Sequence, residues 1–203
     1  MEDRKVILKI EHLCKDFDIK AKSFTGKALK LHALSDISLD IYEGETLGII
    51  GESGCGKSTL GRCLVNLHPI TSGKLVYDGK ELNRLRKKER QALSREIQMV
   101  FQDPYSSLDP RHTAADSVEE PMIVHKTPAT ARERQERTIG LFREVGLDMQ
   151  HLNRYPHEFS GGQRQRLNIA RAIASNPRVV ISDEPVSALH ASIQAHVIHL
   201  FTK

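Results

Sequence analysis

The sequence predicts an α/β fold with a helical stretch set into it. Three observations carry that prediction. A short apolar run from Glu45 to Ile50 leads into a glycine-rich loop and then a helical pattern. A second apolar run, from Arg178 to Ser182, ends in two adjacent acids. Between them, from Asp103 to Phe159, the chain becomes richer in Pro and His and its apolar spacing becomes helical.

Taken in order, "KVILKIEHL" alternates well enough for a strand, and "LKLHALSDISLDIY" places Leu29, Leu31, Ala33, Ile37, Leu39 and Ile41 at period two before a turn at Gly44. "ETLGII" reads as a buried strand of the parallel type, and "TLGRCLVNL" as the helix that follows the glycine loop. "SGKLVYDGK" is a strand bounded by Gly73 and by the Asp78-Gly79 turn. The basic run Arg84 to Arg90 reads as a solvated face. "IQMVFQ" is a further buried strand. In the helical stretch, Thr127 is the expected N-cap, Pro128 the first helical residue and Gly146 the residue past the end. A second helix over "GGQRQRLNIARAIA" returns the chain to the strand "RVVIS". The expected division is 1–102 and 164–203 for the two parts of the core, with 103–163 as the helical subdomain.

Composition bounds the functional classes. Apolar residues make up 39% and charged residues 28%, which describes a globular chain and not a disordered one. The formal charge of +4 comes from 30 basic and 26 acidic residues that are interspersed, so nucleic acid is not an expected partner. Three cysteines without CxxC spacing suit a reducing compartment. The charged start lacks a secretory pattern, and no apolar run reaches the ~20 residues that span a bilayer. Any service to a membrane is expected at its cytoplasmic face, through a partner.

The chemistry begins at Gly51-Glu52-Ser53-Gly54-Cys55-Gly56-Lys57-Ser58, which fits GxxxxGK[ST] at every fixed position, with Thr59 behind it. Glycines let the backbone bend so that successive N–H groups converge on a phosphate, and the following helix adds its positive end. Lys57 is expected on the β- and γ-phosphates and the Ser58 hydroxyl on Mg²⁺. At the other strand end, Asp183 can position Mg²⁺ and Glu184 can polarise the water that attacks the γ-phosphate.

"FSGGQRQRLNIARAIA" resembles the signature segment of ATP-binding cassette (ABC) ATPases, with Phe159 in place of the usual leucine. "GETLGIIGESGCGKSTLGR", "MVFQDPYSSLDPR" and "YPHEFSGGQRQR" resemble the ATPase subunits of dipeptide and oligopeptide importers. The resemblance implies a P-loop (RecA-like) ABC core with an N-terminal antiparallel β subdomain and an inserted helical subdomain. It implies that ATP and Mg²⁺ are bound, with Ser160, Gly161, Gly162 and Gln163 facing the γ-phosphate held by the opposite subunit of a head-to-tail dimer. Gln102 then touches Mg²⁺ and the attacking water, and Phe17 stacks on adenine. The implied partners are two membrane permease subunits, a second ATPase subunit of the same or another kind, and, indirectly, an extracytoplasmic solute-binding protein.

One position departs from the family pattern. Where the family has aspartate after Ser187-Ala188-Leu189, this chain has His190. The sequence stops at Lys203, so the last core strands and the switch histidine of the family are expected to be missing; His196 and His199 lie in the expected helix and cannot replace it. An open sheet edge and lowered stability follow from that expectation. A weakly active nucleotide-binding fragment, and a soluble ABC ATPase acting on nucleic acid or ribosomes, stand as the alternatives.

Overall fold

The computed structural model describes residues 4–19, 29–128 and 130–184. Ser187 to His190, His196, His199 and the helix expected around them lie outside the described residues. The chain divides into two compact units, Met1–Arg90 and Gln91–Lys203.

The first unit is built on an antiparallel sheet of β1 (Val6–Ile19), β2 (Leu29–Tyr42), β3 (Ser72–Tyr77) and β4 (Lys80–Glu81), in the order β2-β1-β3-β4. Paired on both sides, β1 supplies the buried Ile7, Leu8, Ile10 and Leu13. A register shift between Ile10 and Leu13 bulges β1 at His12, whose φ is +50°. The bulge brings the His12 carbonyl so close to Gly73 that a Cβ there would lie 2.4 Å from its oxygen. β3 and β4 join through Asp78 (φ +45°) and Gly79 (φ +79°), the two-residue turn that needs positive φ at both positions.

Two expectations change in this unit. α1 (Lys57–Leu64) ends three residues before Leu67, because Val65 caps it and Asn66 adopts φ +59°. Glu45–Ile50 forms no strand among the described residues; it is exposed throughout, Ile50 fully so at 99%. Its apolar pattern is that of a strand, but a strand exists only with a hydrogen-bonded neighbour, and β1–β4 offer this run none.

α2 (Lys87–Glu96) runs across the boundary between the units, and the basic residues Arg84, Arg86, Lys87, Lys88 and Arg90 are exposed as expected. In the second unit, β5 (Ile97–Val100) lies parallel to β6 (Val179–Ser182), in register from Ile97–Val179 to Val100–Ser182. The helices α3 (Ala114–His125), α4 (Ala131–Glu144) and α5 (Gly161–Ile173) share a core through Val118, Met122, Leu141, Phe142, Leu167 and Ile169, all fully buried.

α4 starts later than expected. Thr130 is its N-cap, not Thr127, since its hydroxyl accepts from the Glu133 N–H while the Glu133 carboxylate accepts from the Thr130 N–H. Thr130-x-x-Glu133 is a complete capping box, and a Pro at the first helical position is the weaker signal. The end is as expected: Gly146 (φ +69°) donates to Arg143, and Leu147 donates to Phe142 at 2.8 Å. α3, which the sequence reading did not delimit, is capped the same way by Thr113 and Asp116.

Candidate functional site

The glycine loop and Phe17 belong to the first unit. Gly54 and Gly56 both have positive φ, +82° and +101°. A Cβ on Gly56 would also lie 2.6 Å from the Ala33 carbonyl oxygen and 2.9 Å from Leu34 Cδ2, so glycine is demanded twice over. α1 has no side-chain cap and no acid in its first turn, which leaves the positive end of its dipole uncompensated. Lys57 turns back into the loop: its Nζ donates to the Gly51 and Glu52 carbonyls, both at 2.7 Å, and lies 3.7 Å from Cys55 Sγ. The ammonium thus sits at the mouth of a curl of backbone, a cradle with positive charge at its centre.

Phe17 is half-buried on β1, paired across the ladder with Leu31. The Lys15 ammonium lies 4.7 Å from its ring centroid and His68 meets it edge-on at 5.4 Å. Lys15 in turn pairs with Leu34, the residue that a Cβ at Gly56 would strike. The aromatic and the loop are therefore connected through two strand positions.

Gln102, Asp183 and Glu184 belong to the second unit, where two parallel strands deliver them side by side. The Asp183 N–H donates to Val100 at 2.9 Å, which extends the β5–β6 pairing by one bond and buries Asp183 to 7% exposure. Glu184 then turns at φ +49°, unusual for a residue with a Cβ. That turn brings its carboxylate to Gln102, whose Nε2 donates to Oε2 at 2.8 Å. An amide and a carboxylate held together at adjacent strand ends can orient a water between an acceptor and a donor.

Ser160 to Gln163 form the N-terminus of α5. The Ser160 hydroxyl accepts from the Gln163 N–H at 3.3 Å, and the Gln163 side-chain oxygen accepts from the Ser160 N–H at 2.9 Å. A Cβ on Gly161 would meet nothing within 4 Å, so packing among the described residues does not require glycine there. Phe159 faces the other way, 4% exposed in the core and edge-on to His151 at 5.5 Å. An aromatic in place of leucine is thus accommodated as an anchor for the segment.

The sequence reading missed the polar stripe of α5. Arg164, Asn168 and Arg171 recur at i, i+4 and i+7, one face of a helix, and all three reach the loop after Gln102 or the helix beyond it. The Arg164 guanidinium lies 3.8 Å from the Tyr105 ring centroid, Asn168 donates to the Ser107 hydroxyl at 3.0 Å, and Arg171 bonds both the Ser107 carbonyl and the Glu120 carboxylate. The spacing was visible in the sequence, but its partners were not.

Residues 34–187 match the family described as ABC transporter. The chain is 48% identical over 195 residues to the oligopeptide transport ATP-binding protein OppF of Bacillus subtilis (strain 168), covering 96% of this chain and 62% of that protein. It is 48% identical over 194 residues to the glutathione import ATP-binding protein GsiA of Pectobacterium atrosepticum, covering 31% of that protein. The chain therefore spans only part of the curated relatives it matches. Among solved structures, it is similar to the dimeric post-hydrolysis state of the ATP-binding cassette MJ0796 bound to ADP and Pi. The TM-score is 0.86 at 31% identity, over 96% of this chain and 81% of that one.

Proposed function

Because this chain belongs to the ABC transporter family, we propose that it binds ATP with Mg²⁺ and hydrolyses it as the nucleotide-binding subunit of an importer for di- or oligopeptides. The observation that carries the reading is the Gln102–Glu184 pair, a carboxylate and an amide 2.8 Å apart at the ends of parallel strands with the buried Asp183 beside them. Glu184 accepts the proton of the attacking water and Gln102 orients it. Lys57 leaves the Gly51 and Glu52 carbonyls for the phosphate oxygens, and the open N-terminus of α1 meets their charge.

Phe17 stacks on adenine with the face that Lys15 does not cover. Ser58 in the first unit, and Gln102 and Asp183 in the second, each carry a hard oxygen donor of the kind Mg²⁺ takes, and the ion would supply charge neutralisation on the phosphates. The α5 N-terminus, with its bare Gly161 flank, receives the γ-phosphate of a second ATPase subunit. This accounts for a glycine that the described residues of its own chain do not require. The permease pair and an extracytoplasmic binding protein complete the proposed assembly, at the cytoplasmic face of the membrane. In the curated relatives, the names speak of oligopeptide transport for OppF and of glutathione import for GsiA, which supports a cargo among small peptides.

The test pairs two variants. Lys57→Ala should abolish both nucleotide binding and turnover. Glu184→Gln should keep binding of a fluorescent ATP analogue while lowering phosphate release by about a hundredfold or more. Turnover in Glu184→Gln equal to wild type would remove Glu184 from the proposed role.

A further inference from the structure

The loop after Gln102 is fastened at both of its ends. On the Gln102 side it is a tight turn around Asp103: the Tyr105 N–H donates to the Asp103 carboxylate at 2.9 Å, and the Ser106 and Ser107 hydroxyls donate to the Asp103 carbonyl at 3.4 and 2.5 Å. The Tyr105 N–H, and after it the Ser106 side chain, hold the Asp103 carboxyl below the usual carboxylate range. On the α5 side, Arg164, Asn168 and Arg171 grip Tyr105 and Ser107.

Of these contacts, Arg164 with Tyr105 has the most demanding electrostatics. The arginine is 6% exposed, and its guanidinium donates to the Pro156 carbonyl at 2.6 Å and the His157 carbonyl at 3.3 Å. Among the described residues no carboxylate pairs with it, and its Nη1 has no hydrogen-bond partner. A buried cation held only by carbonyl dipoles and a ring face depends on where that ring lies. The ring is 66% exposed, so it contributes little to the core and is free to be displaced.

We propose that the Tyr105–Arg164 stack is the positioning contact that ties the Gln102–Glu184 pair to the α5 N-terminus, so that a phosphate engaged at Ser160 alters how Gln102 is held. Arg164 follows Ser160 by one helical turn, and Tyr105 follows Gln102 by three residues. A tilt of α5 therefore reaches Gln102 through the stacked pair and the rigid turn, beside the Asn168 and Arg171 bonds to Ser107 in the same turn. The proposed reading puts neither phosphate nor the attacking water on Tyr105. It is a positioning residue, and the proposal rests on the reading of nucleotide binding between two subunits given above, with hydrolysis used only in its kinetic arm.

Two arms test it. In steady-state kinetics, Tyr105→Leu should lower kcat about tenfold and bring the Hill coefficient for ATP toward one, with nucleotide affinity and melting temperature kept. Tyr105→Phe, which retains the ring, should restore both. Wild-type kcat and cooperativity in Tyr105→Leu would overturn the proposal, as would a loss in Tyr105→Phe equal to that in Tyr105→Leu.

The second arm does not need turnover. The chain has no tryptophan, so Tyr105→Trp introduces a single indole that keeps the cation–π face. Its emission should change when MgATP is added, and the change should vanish in the Tyr105→Trp, Ser160→Arg double variant. No change, or one that survives the Ser160 substitution, would sink the coupling. If the wild-type chain failed to hydrolyse ATP, the functional reading would fail while this arm still decided the inference.

Discussion

At position 56 the backbone sits at φ +101° and a Cβ would press on the Ala33 carbonyl from 2.6 Å. Gly56→Ala should cost about 1–3 kcal/mol of stability from the forced backbone alone and should abolish nucleotide binding, as read by thermal denaturation and by titration with labelled ATP. One residue earlier, Cys55 is exposed at the loop, while Cys63 is buried and its thiol is pushed up by that burial. Maleimide should modify Cys55 well before Cys63, and MgATP should slow the reaction at Cys55; equal rates with and without nucleotide would argue against phosphate binding in the loop. At this scale much of the site was readable. Phosphate chemistry constrains residue type at fixed spacing, so Gly51 to Ser58 and the Asp183-Glu184 pair stand out in one dimension. The Gln102–Glu184 bond did not, since its partners lie 82 positions apart.

Among the elements, the start of α4 separates a strong signal from a weak one. Thr130→Ala should destabilise the chain by about 1 kcal/mol through loss of the capping box, whereas Thr127→Ala should leave α4 intact; urea melts of the two variants decide between them. Two groups of α3 add a pH dependence of one sign, against the opposite contribution of Glu119 on the same helix, whose carboxyl is pushed up by burial. Asp116 is held below the usual carboxylate range by the Thr113 side chain and backbone, and half-buried His125 is lowered mainly by desolvation and then by Arg95. Both folded values lie below the unfolded ones, so each contribution is full above the unfolded range and declines as pH falls through the window beneath it. Protection factors of the α3 amides should therefore fall on mild acidification, through His125, and again in strong acid, through Asp116. α4, whose box carboxylate Glu133 is likewise lowered, should respond only in strong acid. His125→Gln should remove the first step. Caps and turns of this kind are local and legible, as Gly146 and Asp78-Gly79 were. The fate of Glu45–Ile50 was not, because pairing belongs to distant strands and no six-residue pattern contains its own neighbour.

For the molecule as a whole, ligation should be visible as stability. A nucleotide that binds the folded chain and not the unfolded one adds about 2.7 kcal/mol at a hundredfold excess over Kd, which for a chain of 203 residues corresponds to several degrees in melting temperature. MgATP should raise the melting temperature of wild type by that order and leave Lys57→Ala unmoved. The α/β class and the helical stretch were legible because periodicity and motif order survive in sequence. Three strands of the antiparallel sheet were legible, but neither β4 nor the order β2-β1-β3-β4, which depends on a bulge at His12 and a matching glycine at 73.

The inward turn of Lys57 has a consequence for selectivity. Its two short bonds to Gly51 and Glu52 make the lysine a tethered competitor for its own binding site. A visiting anion gains the ammonium only after replacing both carbonyls, and a diffuse monovalent ion offers too little charge to do so. A chain of phosphates brings several charged oxygens to one loop. On the proposed reading, the cradle thus screens by charge density before any part of the protein inspects the base.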